Sequence, residues 1–296
     1  MLNNITNNEM TNARPKKKSE FVRVLKQLAR NKLAVVGMII FAVELILALL
    51  APVIMPYKYD LMDMTKICQG PSLQHWFGTD ELGRDILSRV LYGSRYSLTL
   101  GLSAIAISTT VGMTIGSIAG YFGGQVDNII MRVLDVIQSL PGMLLTIVIS
   151  AVLGSGFFNT ILAMSVNGLP ASARMLRGQM LKQRQNEYIE AAVSINCSKL
   201  RIIVSHLIPN SFSPNIVQAT MGVAMTISMA AGLSFIGLGV QPPIPEWGAM
   251  LSGARQFIRE SPHMVIFPGL AIAVTVLALN LFGDGLRDAL DPKLKN

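Results

Sequence analysis

The residues of this chain that could do chemistry are few and lie far apart. Its three histidines, His75, His206 and His263, are widely separated, and no H-E-x-x-H or C-x-x-C pattern occurs. The sequence also contains no G-x-S-x-G nucleophile motif and no G-x-x-x-x-G-K-S/T phosphate loop. We therefore predict no catalytic residue, no metal site and no nucleotide-binding site in the chain itself.

The overall composition is typical of a membrane protein. Of the 296 residues, 51% are hydrophobic and only 14% are charged, whereas ordinary soluble domains contain about 25% charged residues. The mean hydropathy is +0.48. So few charges cannot cover a water-soluble surface of this size, which excludes a soluble globular enzyme and a disordered chain. With only two cysteines, Cys68 and Cys197, a disulfide scaffold is excluded as well.

Six apolar stretches are long enough to cross a bilayer as helices, which takes about 20 residues. They lie at residues 33–55, 97–122, 128–153, 157–180, 210–237 and 264–285. Arg132 and Asp135 are expected to pair within the third helix, and Pro141 and Pro170 to break the third and fourth helices. Glu44 is an acid inside the first stretch. It is expected either to face a partner chain or an internal path, or to be neutral and hydrogen-bonded.

The distribution of Lys and Arg predicts the orientation. Residues 1–32 hold eight Lys or Arg and residues 174–209 hold six. In residues 56–96 and 241–263 the positive residues are balanced by equal numbers of acids. Because positively charged loops stay in the cytoplasm, we predict that both termini and the 174–209 segment are cytoplasmic. The net charge of +8 is then explained by membrane topology rather than by nucleic-acid binding.

Two segments outside these stretches are expected to form helices. Residues 83–95 place apolar and arginine residues at helical spacing, which favours an amphipathic helix on the outer membrane surface; a loop helix leading into the second span is the alternative. Residues 186–195 are expected to form a short cytoplasmic helix. Its apolar surface consists of Tyr188, Ile189, Ala191, Ala192 and Ile195. Such a surface usually binds a soluble partner, with packing against its own bundle as the alternative.

This cytoplasmic segment also carries a motif. It reads Glu190-Ala191-Ala192, three residues, Asn196, nine residues, then His206-Leu207-Ile208-Pro209. It resembles the signature loop of ABC-importer permeases, which reads Glu-Ala-Ala, three residues, Gly, nine residues, Ile, any residue, Leu and Pro. Asn196 replaces the Gly, and because Asn adopts positive φ more readily than most residues, a turn is still expected there. His206 and Ile208 replace the Ile and Leu. The His-Leu-Ile-Pro-Asn form is similar to the dipeptide/oligopeptide/nickel branch of these permeases.

Two further motifs point to the same branch. Residues 77–85, FGTDELGRD, and residues 237–243, GLGVQPP, are similar to hallmarks of its C-type permease subunit. The resemblance covers about residues 21–292. Residues 1–20 lie outside it and are expected to form a disordered cytoplasmic tail, and residues 21–296 a permease domain with a coupling loop at about 182–208.

The resemblance implies the permease subunit of an ATP-driven importer in a bacterial inner membrane. Such a subunit forms the path for di- or oligopeptides with a homologous second permease, and an extracytoplasmic binding protein delivers the cargo. Two cytosolic ATPases bind ATP and Mg²⁺, so the permease itself holds no cofactor and is not an enzyme. Two alternatives remain: the same architecture importing nickel or another small solute, or a stand-alone secondary transporter. The secondary transporter predicts intramembrane charge pairs or an inverted repeat, and neither is clear here.

The resemblance also assigns two groups of site residues. The contact with the ATPases is expected at Tyr188, Ile189, Glu190, Ala191, Ala192, Ile195 and Asn196. The outer loops that meet the binding protein are expected to use Asp80, Glu81, Arg84, Asp85, Gln241 and Trp247.

Overall fold

The computed structural model describes residues 20–290, with side chains from Val24 onward, and regular structure in this part is almost entirely helical. In chain order the helices are α1 Glu20–Arg30, α2 Lys32–Ile54, α3 Ile86–Phe122, α4 Gly124–Gln138, α5 Gly142–Leu153, α6 Phe157–Gln183, α7 Glu187–Ser194, α8 Lys199–Arg201, α9 Ile208–Ser211, α10 Ser213–Phe235, α11 Trp247–Ala254 and α12 His263–Leu290. A π-helical turn, Ile202–Leu207, joins α8 to α9, and a 3-10 turn, Arg255–Phe257, follows α11. The predicted all-α architecture is confirmed.

Four helices of the described part, α2, α3, α10 and α12, are long and apolar enough to cross a membrane. Helices α4 and α5 qualify only together, and they are bent by 85° at the break between them. Helix α6 has 27 residues, but polar side chains such as Asn159 and Asn167 interrupt its apolar run. Length and composition thus support four or five spans, and the count of six stays a prediction.

The separate amphipathic outer helix predicted for residues 83–95 is wrong. Helix α3 runs without a break through 37 residues, from Ile86 to Phe122, because Asp85 caps its start and the next helix-ending residue is Gly123. The Asp85 carboxylate accepts a hydrogen bond from the Ser88 amide at 2.8 Å. A helix of this length spans about 55 Å, against about 30 Å for the hydrocarbon core. Helix α3 is therefore longer than one crossing needs, and its first turns are the loop helix that leads into the second predicted span.

The third and fourth predicted spans differ from expectation in two details. The predicted break at Pro141 is confirmed, since this residue precedes α5 and follows the sharp bend from α4. The break predicted at Pro170 is wrong: α6 continues through this buried proline, because packing against neighbouring helices compensates for the lost backbone hydrogen bond. The predicted Arg132–Asp135 pair is also wrong. Asp135 instead accepts from Arg174 of α6 at 2.8 Å, which fastens α4 to α6.

Helices α3 and α6 pack most closely, along a row of small residues on α3. A Cβ atom added to Gly116 would lie 2.3 Å from the carbonyl oxygen of Ala173, and one added to Gly112 would lie 2.8 Å from Ser172 Cβ. Such near approach of two backbones is a common way for helices to associate in membranes. The α3–α6 pair is therefore the rigid centre against which the other helices are placed.

The N-terminal helices pack on α12. Leu28 of α1 and Ala34 of α2 are buried beside Ala289, and a Cβ on Gly285 would lie 2.1 Å from Ala34 Cβ. The predicted disordered tail, residues 1–20, lies outside the described residues except for Glu20, which begins α1. Helix α1 itself was not expected from the sequence.

Candidate functional site

Helix α7 lies beyond the bundle at the end where α6 stops, and two of its side chains hold it there. Ile189 is 3% exposed and Ala192 5% exposed. Both pack into a cluster built from three parts of the chain, Met113 of α3, Leu176 and Met180 of α6, and Ile202 and Leu207 of the π-helical turn. Helix α7 is therefore mounted on α3, on α6 and on the π-helical turn.

The rest of the surface of α7 is open to solvent. Tyr188 is 41% exposed and Ile195 76% exposed, and Glu190, Ala191 and Asn196 are exposed as well. The sequence interpretation assigned seven residues to one partner surface, but Ile189 and Ala192 lie on the buried face. Successive residues of a helix are 100° apart, so these two, three positions apart, share one face, while Tyr188 and Ala191 lie together on the neighbouring side and Ile195 follows the end of the helix. Val193 and Leu200 are also exposed apolar residues here and were missed.

The turn after α7 depends on Asn196, whose φ is 57°. Its amide donates to the Val193 carbonyl at 2.9 Å, and the Cys197 amide donates to the Ala192 carbonyl at 3.0 Å. These are the two hydrogen bonds of a Schellman motif, which needs a left-handed residue at this position. The prediction that Asn196 keeps the turn is confirmed.

Polar contacts fix the start of α7 to α6. The side-chain oxygen of Gln183 accepts from the Tyr188 hydroxyl at 2.9 Å and from Asn186 Nδ2 at 2.8 Å. Arg184, the residue after α6, donates to the Tyr121 carbonyl at the end of α3 at 3.0 Å. Movement of α7 would thus be passed directly to α3 and α6.

The outer residues predicted to meet a binding protein form an internal ion-pair cluster instead. Asp80, Arg84 and Asp85 are buried. Arg84 Nε lies 2.7 Å from Asp80 Oδ2, and Arg89 Nε lies 3.3 Å from the same oxygen. Glu81 is the partly exposed member and lies 2.9 Å from Arg84. The docking assignment for the three buried residues is wrong, because their charged groups pair with each other and shape the loop.

Asp85 has a second structural role beside its cap on α3. Its Oδ1 atom lies 2.9 Å from His75 Nδ1, and both side chains are buried. The backbone bridge between Thr79 and Asp85 closes the loop that holds Asp80. The FGTDELGRD motif is therefore a folded clasp at the start of α3.

Trp247 is likewise buried, and its indole donates to the Val90 carbonyl at 3.0 Å. The preceding Glu246 is buried and accepts from the amides of Gly248 and Ala249 at 2.9 Å, which caps α11. Burial raises the pKa of the Glu246 carboxyl, while these hydrogen bonds lower it less. Of the predicted residues in this second outer segment, Gln241 is the one with partial exposure.

Two remaining sequence predictions concern chemistry. Within residues 20–290, no three His, Cys, Asp or Glu side chains come close enough together to hold a metal ion. Glu44 lies on α2, and its Oε2 atom is buried without a hydrogen-bond partner in the described part of the chain.

The fold and sites define a helical, multi-pass membrane protein with a protruding helix at one end. Residues 112–296 match the family described as binding-protein-dependent transport system inner membrane component. Residues 19–71 match the N-terminal transmembrane domain of oligopeptide transport permease C. The chain belongs to this family of ABC-importer permeases, in its dipeptide/oligopeptide branch, as the sequence motifs predicted.

Curated relatives match over nearly their whole lengths. The chain is 45% identical over 278 residues to the dipeptide transport system permease protein DppC of Alkalihalophilus pseudofirmus, covering 94% of this chain and 91% of that protein. It is 46% identical over 290 residues to the glutathione transport system permease protein GsiD of Escherichia coli, covering 96% of each. The GsiD protein of Pectobacterium atrosepticum is 45% identical, with 92% and 90% covered.

Solved structures share the fold. The methionine ABC transporter MetNI, in inward-facing conformations, matches with a TM-score of 0.55 and 17% identity, covering 70% of this chain and 98% of that one. An amino acid ABC transporter with histidines matches with a TM-score of 0.52 and 14% identity, covering 67% and 92%. Importers of this family work with further permease, ATPase and binding-protein subunits, and ATP hydrolysis takes place on the separate ATPases.

Proposed function

We propose that this chain is the C-type permease subunit of an importer of di- or oligopeptides in a bacterial inner membrane. The observation that carries the proposal is helix α7, which offers an exposed apolar row to solvent while its other face is packed on α3 and α6. A helix built in this way can receive force from a soluble partner and pass it to the membrane helices. The naming of the DppC relative supports a peptide as cargo.

In this mechanism, one of two cytosolic ATPases docks on the exposed row formed by Tyr188, Ala191 and Ile195, and the other docks on the homologous second permease. ATP and Mg²⁺ are held by those ATPases, so this chain needs no cofactor. Closure of the ATPases displaces α7, and Ile189 and Ala192 pass the displacement into the cluster at the ends of α3 and α6. A homologous second permease completes the path, so that rocking of the two permeases opens it alternately to each side.

The topology belongs to the same proposal. Six spans, with α4 and α5 counted as one and α6 included, place both termini and α7 in the cytoplasm, which agrees with the excess of Lys and Arg in residues 1–32 and 174–209. Residues 21–296 then form one permease domain. On the outer side, the partly exposed Glu81 and Gln241 are the predicted residues that remain accessible to a binding protein.

Glutathione is a second candidate cargo, because relatives of 45–46% identity carry that name. Nickel or another small solute, carried by the same architecture, is the third possibility to test. A secondary transporter working alone would leave the exposed row of α7 without a role.

The test is uptake by the complete complex in proteoliposomes, with its own binding protein. We expect ATP-dependent accumulation of a radiolabelled dipeptide. Inhibition of this uptake by unlabelled dipeptide, glutathione or Ni²⁺ then ranks the three as cargoes. Accumulation of Ni²⁺ without peptide uptake would replace the peptide proposal. Uptake by the permease alone, without ATPases, would favour the secondary transporter.

A further inference from the structure

A polar cavity of about 80 Å³ lies between α3, α6 and α10. Its lining is mostly small or polar: Ser108, Thr109, Gly168, Ser172, Asn215, Gln218, Ala219 and Gly222, with Ile105 as the one large apolar side chain. The cavity is partly open at one side. It belongs neither to the surface of α7 nor to the outer clasp.

Two amide oxygens in this cavity have no partner in the described part of the chain. Asn215 is 2% exposed, and its Oδ1 atom is buried without a hydrogen bond; the same is true of Gln218 Oε1. A buried acceptor without a donor is unfavourable, and more so where the surroundings are apolar. Two such oxygens beside one cavity indicate that a hydrogen-bond donor occupies it.

Two of the neighbouring donors point away from these oxygens. Asn215 Nδ2 donates to the Ser172 carbonyl at 3.2 Å. The Ser108 hydroxyl donates to the Ile105 carbonyl at 3.2 Å, which leaves the lone pairs of its oxygen free. Asn215 Oδ1, Gln218 Oε1 and Ser108 Oγ thus each keep free lone pairs at the cavity. An ammonium group, with three donors and no acceptor, can satisfy three such oxygens at once.

We propose that this cavity binds the terminal ammonium group of the transported peptide, through Asn215 Oδ1, Gln218 Oε1 and Ser108 Oγ. The proposal rests on the peptide-import function above and names the part of the cargo that this chain contacts. The volume suits it, because a cavity of about 10–15 Å³ on this measure already holds one water molecule, so there is room for an ammonium group. The rest of the peptide extends through the open side.

The position of the cavity gives the site a second consequence. Leu176 follows Ser172 by one helical turn, Met113 follows Thr109 by one turn, and both belong to the cluster that carries α7. Filling the cavity would thus stiffen the helices that α7 moves. Cargo in this site is placed to influence the ATPases.

The first test is uptake by the complete complex with substitutions of the acceptors. Gln218→Met and Asn215→Leu remove the amide oxygens at nearly constant shape. Thr220→Val is the matched control on the same helix, because the Thr220 hydroxyl donates to the Ile216 carbonyl at 3.0 Å and does not line the cavity. Losing a hydrogen bond to a charged group lowers binding about tenfold or more. We expect the maximal uptake rate to fall about tenfold in both variants and to stay unchanged in Thr220→Val, with assembly checked by co-purification.

The second test does not depend on the cargo. Ser108→Cys, in a chain with Cys68→Ser and Cys197→Ser, is labelled with aminoethyl methanethiosulfonate, which carries an ammonium group, and with the sulfonate analogue. Thr110→Cys, which is exposed on the same helix, is the reference. We expect the ratio of labelling rates, ammonium reagent over sulfonate reagent, to be about tenfold higher at position 108 than at position 110. Peptide, added with binding protein and an unhydrolysable ATP analogue, should slow the labelling at position 108.

Three results would overturn or separate the proposals. Wild-type uptake in Gln218→Met and Asn215→Leu, with equal labelling by both reagents, would mean that the cavity holds ordered water only. A second result would be a preference for the ammonium reagent that is lost when sodium is added but persists when peptide is added. It would assign the site to an inorganic cation, against the proposal. If the wild-type complex takes up no peptide at all, the proposed cargo is wrong, and the labelling preference alone still decides whether the site selects ammonium groups.

Discussion

Tyr188 and Ile189 are adjacent in sequence, but their side chains point about 100° apart around α7, and Tyr188 is 41% exposed whereas Ile189 is 3% exposed. The Tyr188 hydroxyl also reaches back to Gln183 of α6 at 2.9 Å. One short helix thus combines a surface for a partner with a mount on the bundle. Substitutions on its two faces should therefore have different effects.

A charge on the exposed face should break coupling without unfolding the permease. We expect Ala191→Arg or Glu190→Lys to leave assembly of the two permeases intact and to abolish cargo-stimulated ATP hydrolysis, because the apolar row would no longer fit the ATPase surface. ATPase activity of the purified complex, with and without loaded binding protein, measures this. Normal stimulation in both variants would contradict the role of α7.

Shortening a side chain on the buried face should instead weaken the packing of α7 on α3 and α6. Ile189→Ala removes a fully packed side chain, and such changes cost about 2–5 kcal/mol of stability. We expect a lower thermal unfolding temperature of the purified permease together with weaker cargo stimulation. Val193→Ala, at an exposed position of the same helix, is the control and should leave the unfolding temperature unchanged; equal effects of the two variants would argue against the mount.

The turn at Asn196 should depend on its left-handed backbone. Asn196→Gly is expected to be neutral, whereas Asn196→Val should lose about 1–2 kcal/mol, since a β-branched residue at φ 57° is strained. Thermal unfolding and cargo-stimulated ATPase activity are the readouts. A Val variant equal to the Gly variant would show that the turn does not control the position of α7.

The outer clasp should depend on Asp80, which neutralises two arginines. Asp80→Asn leaves Arg84 and Arg89 buried with less compensating charge, and breaking a buried ion pair costs about 3–5 kcal/mol. Glu81→Gln changes a partly exposed group and should cost about 1 kcal/mol or less. Thermal unfolding of the two variants measures the difference. Equal losses of stability in Asp80→Asn and Glu81→Gln would contradict the role of Asp80.

Close packing of α3 on α6 should tolerate no side chain at Gly116. Gly116→Ala places a Cβ 2.3 Å from the Ala173 carbonyl oxygen, so we expect a loss of about 1–3 kcal/mol or failure to accumulate in the membrane. Gly178→Ala is the matched control on α6, because its added Cβ would meet no atom within 4 Å. Equal membrane levels and unfolding temperatures for the two variants would mean that the interface opens more easily than its packing indicates.

Much of the fold could be predicted from sequence, because membrane helices are fixed by apolar length and by the charges between them. The short helix α7 and the turn at Asn196 could also be predicted, because both follow from the types and spacing of nearby residues. Which face of α7 is buried could not be predicted, because apolar residues occur on both faces and the choice depends on distant partners such as Leu176 and Leu207.

The outer residues misled the prediction for a related reason. Asp80, Arg84 and Asp85 are charged and lie in a polar segment, so the sequence favours an exposed loop. Their burial depends on mutual pairing and on contacts with His75 and Arg89, which lie outside the motif's core and give no signal by type alone. Likewise, Asp135 has Arg132 at helical spacing but pairs with Arg174 of another helix.

The most direct measurement is site-specific photo-crosslinking from position 188 in intact membranes. A benzophenone-bearing phenylalanine replaces Tyr188 with little change of shape, and the same residue at Trp76, which is exposed on the opposite end of the bundle, is the control. We predict crosslinks from position 188 to an ATPase subunit, and none from position 76. The crosslinks from position 188 should disappear when Ala191→Arg is added to the same chain. Crosslinks from position 188 to lipid or to the permease alone, in a complex that still imports its cargo, would contradict the proposed contact.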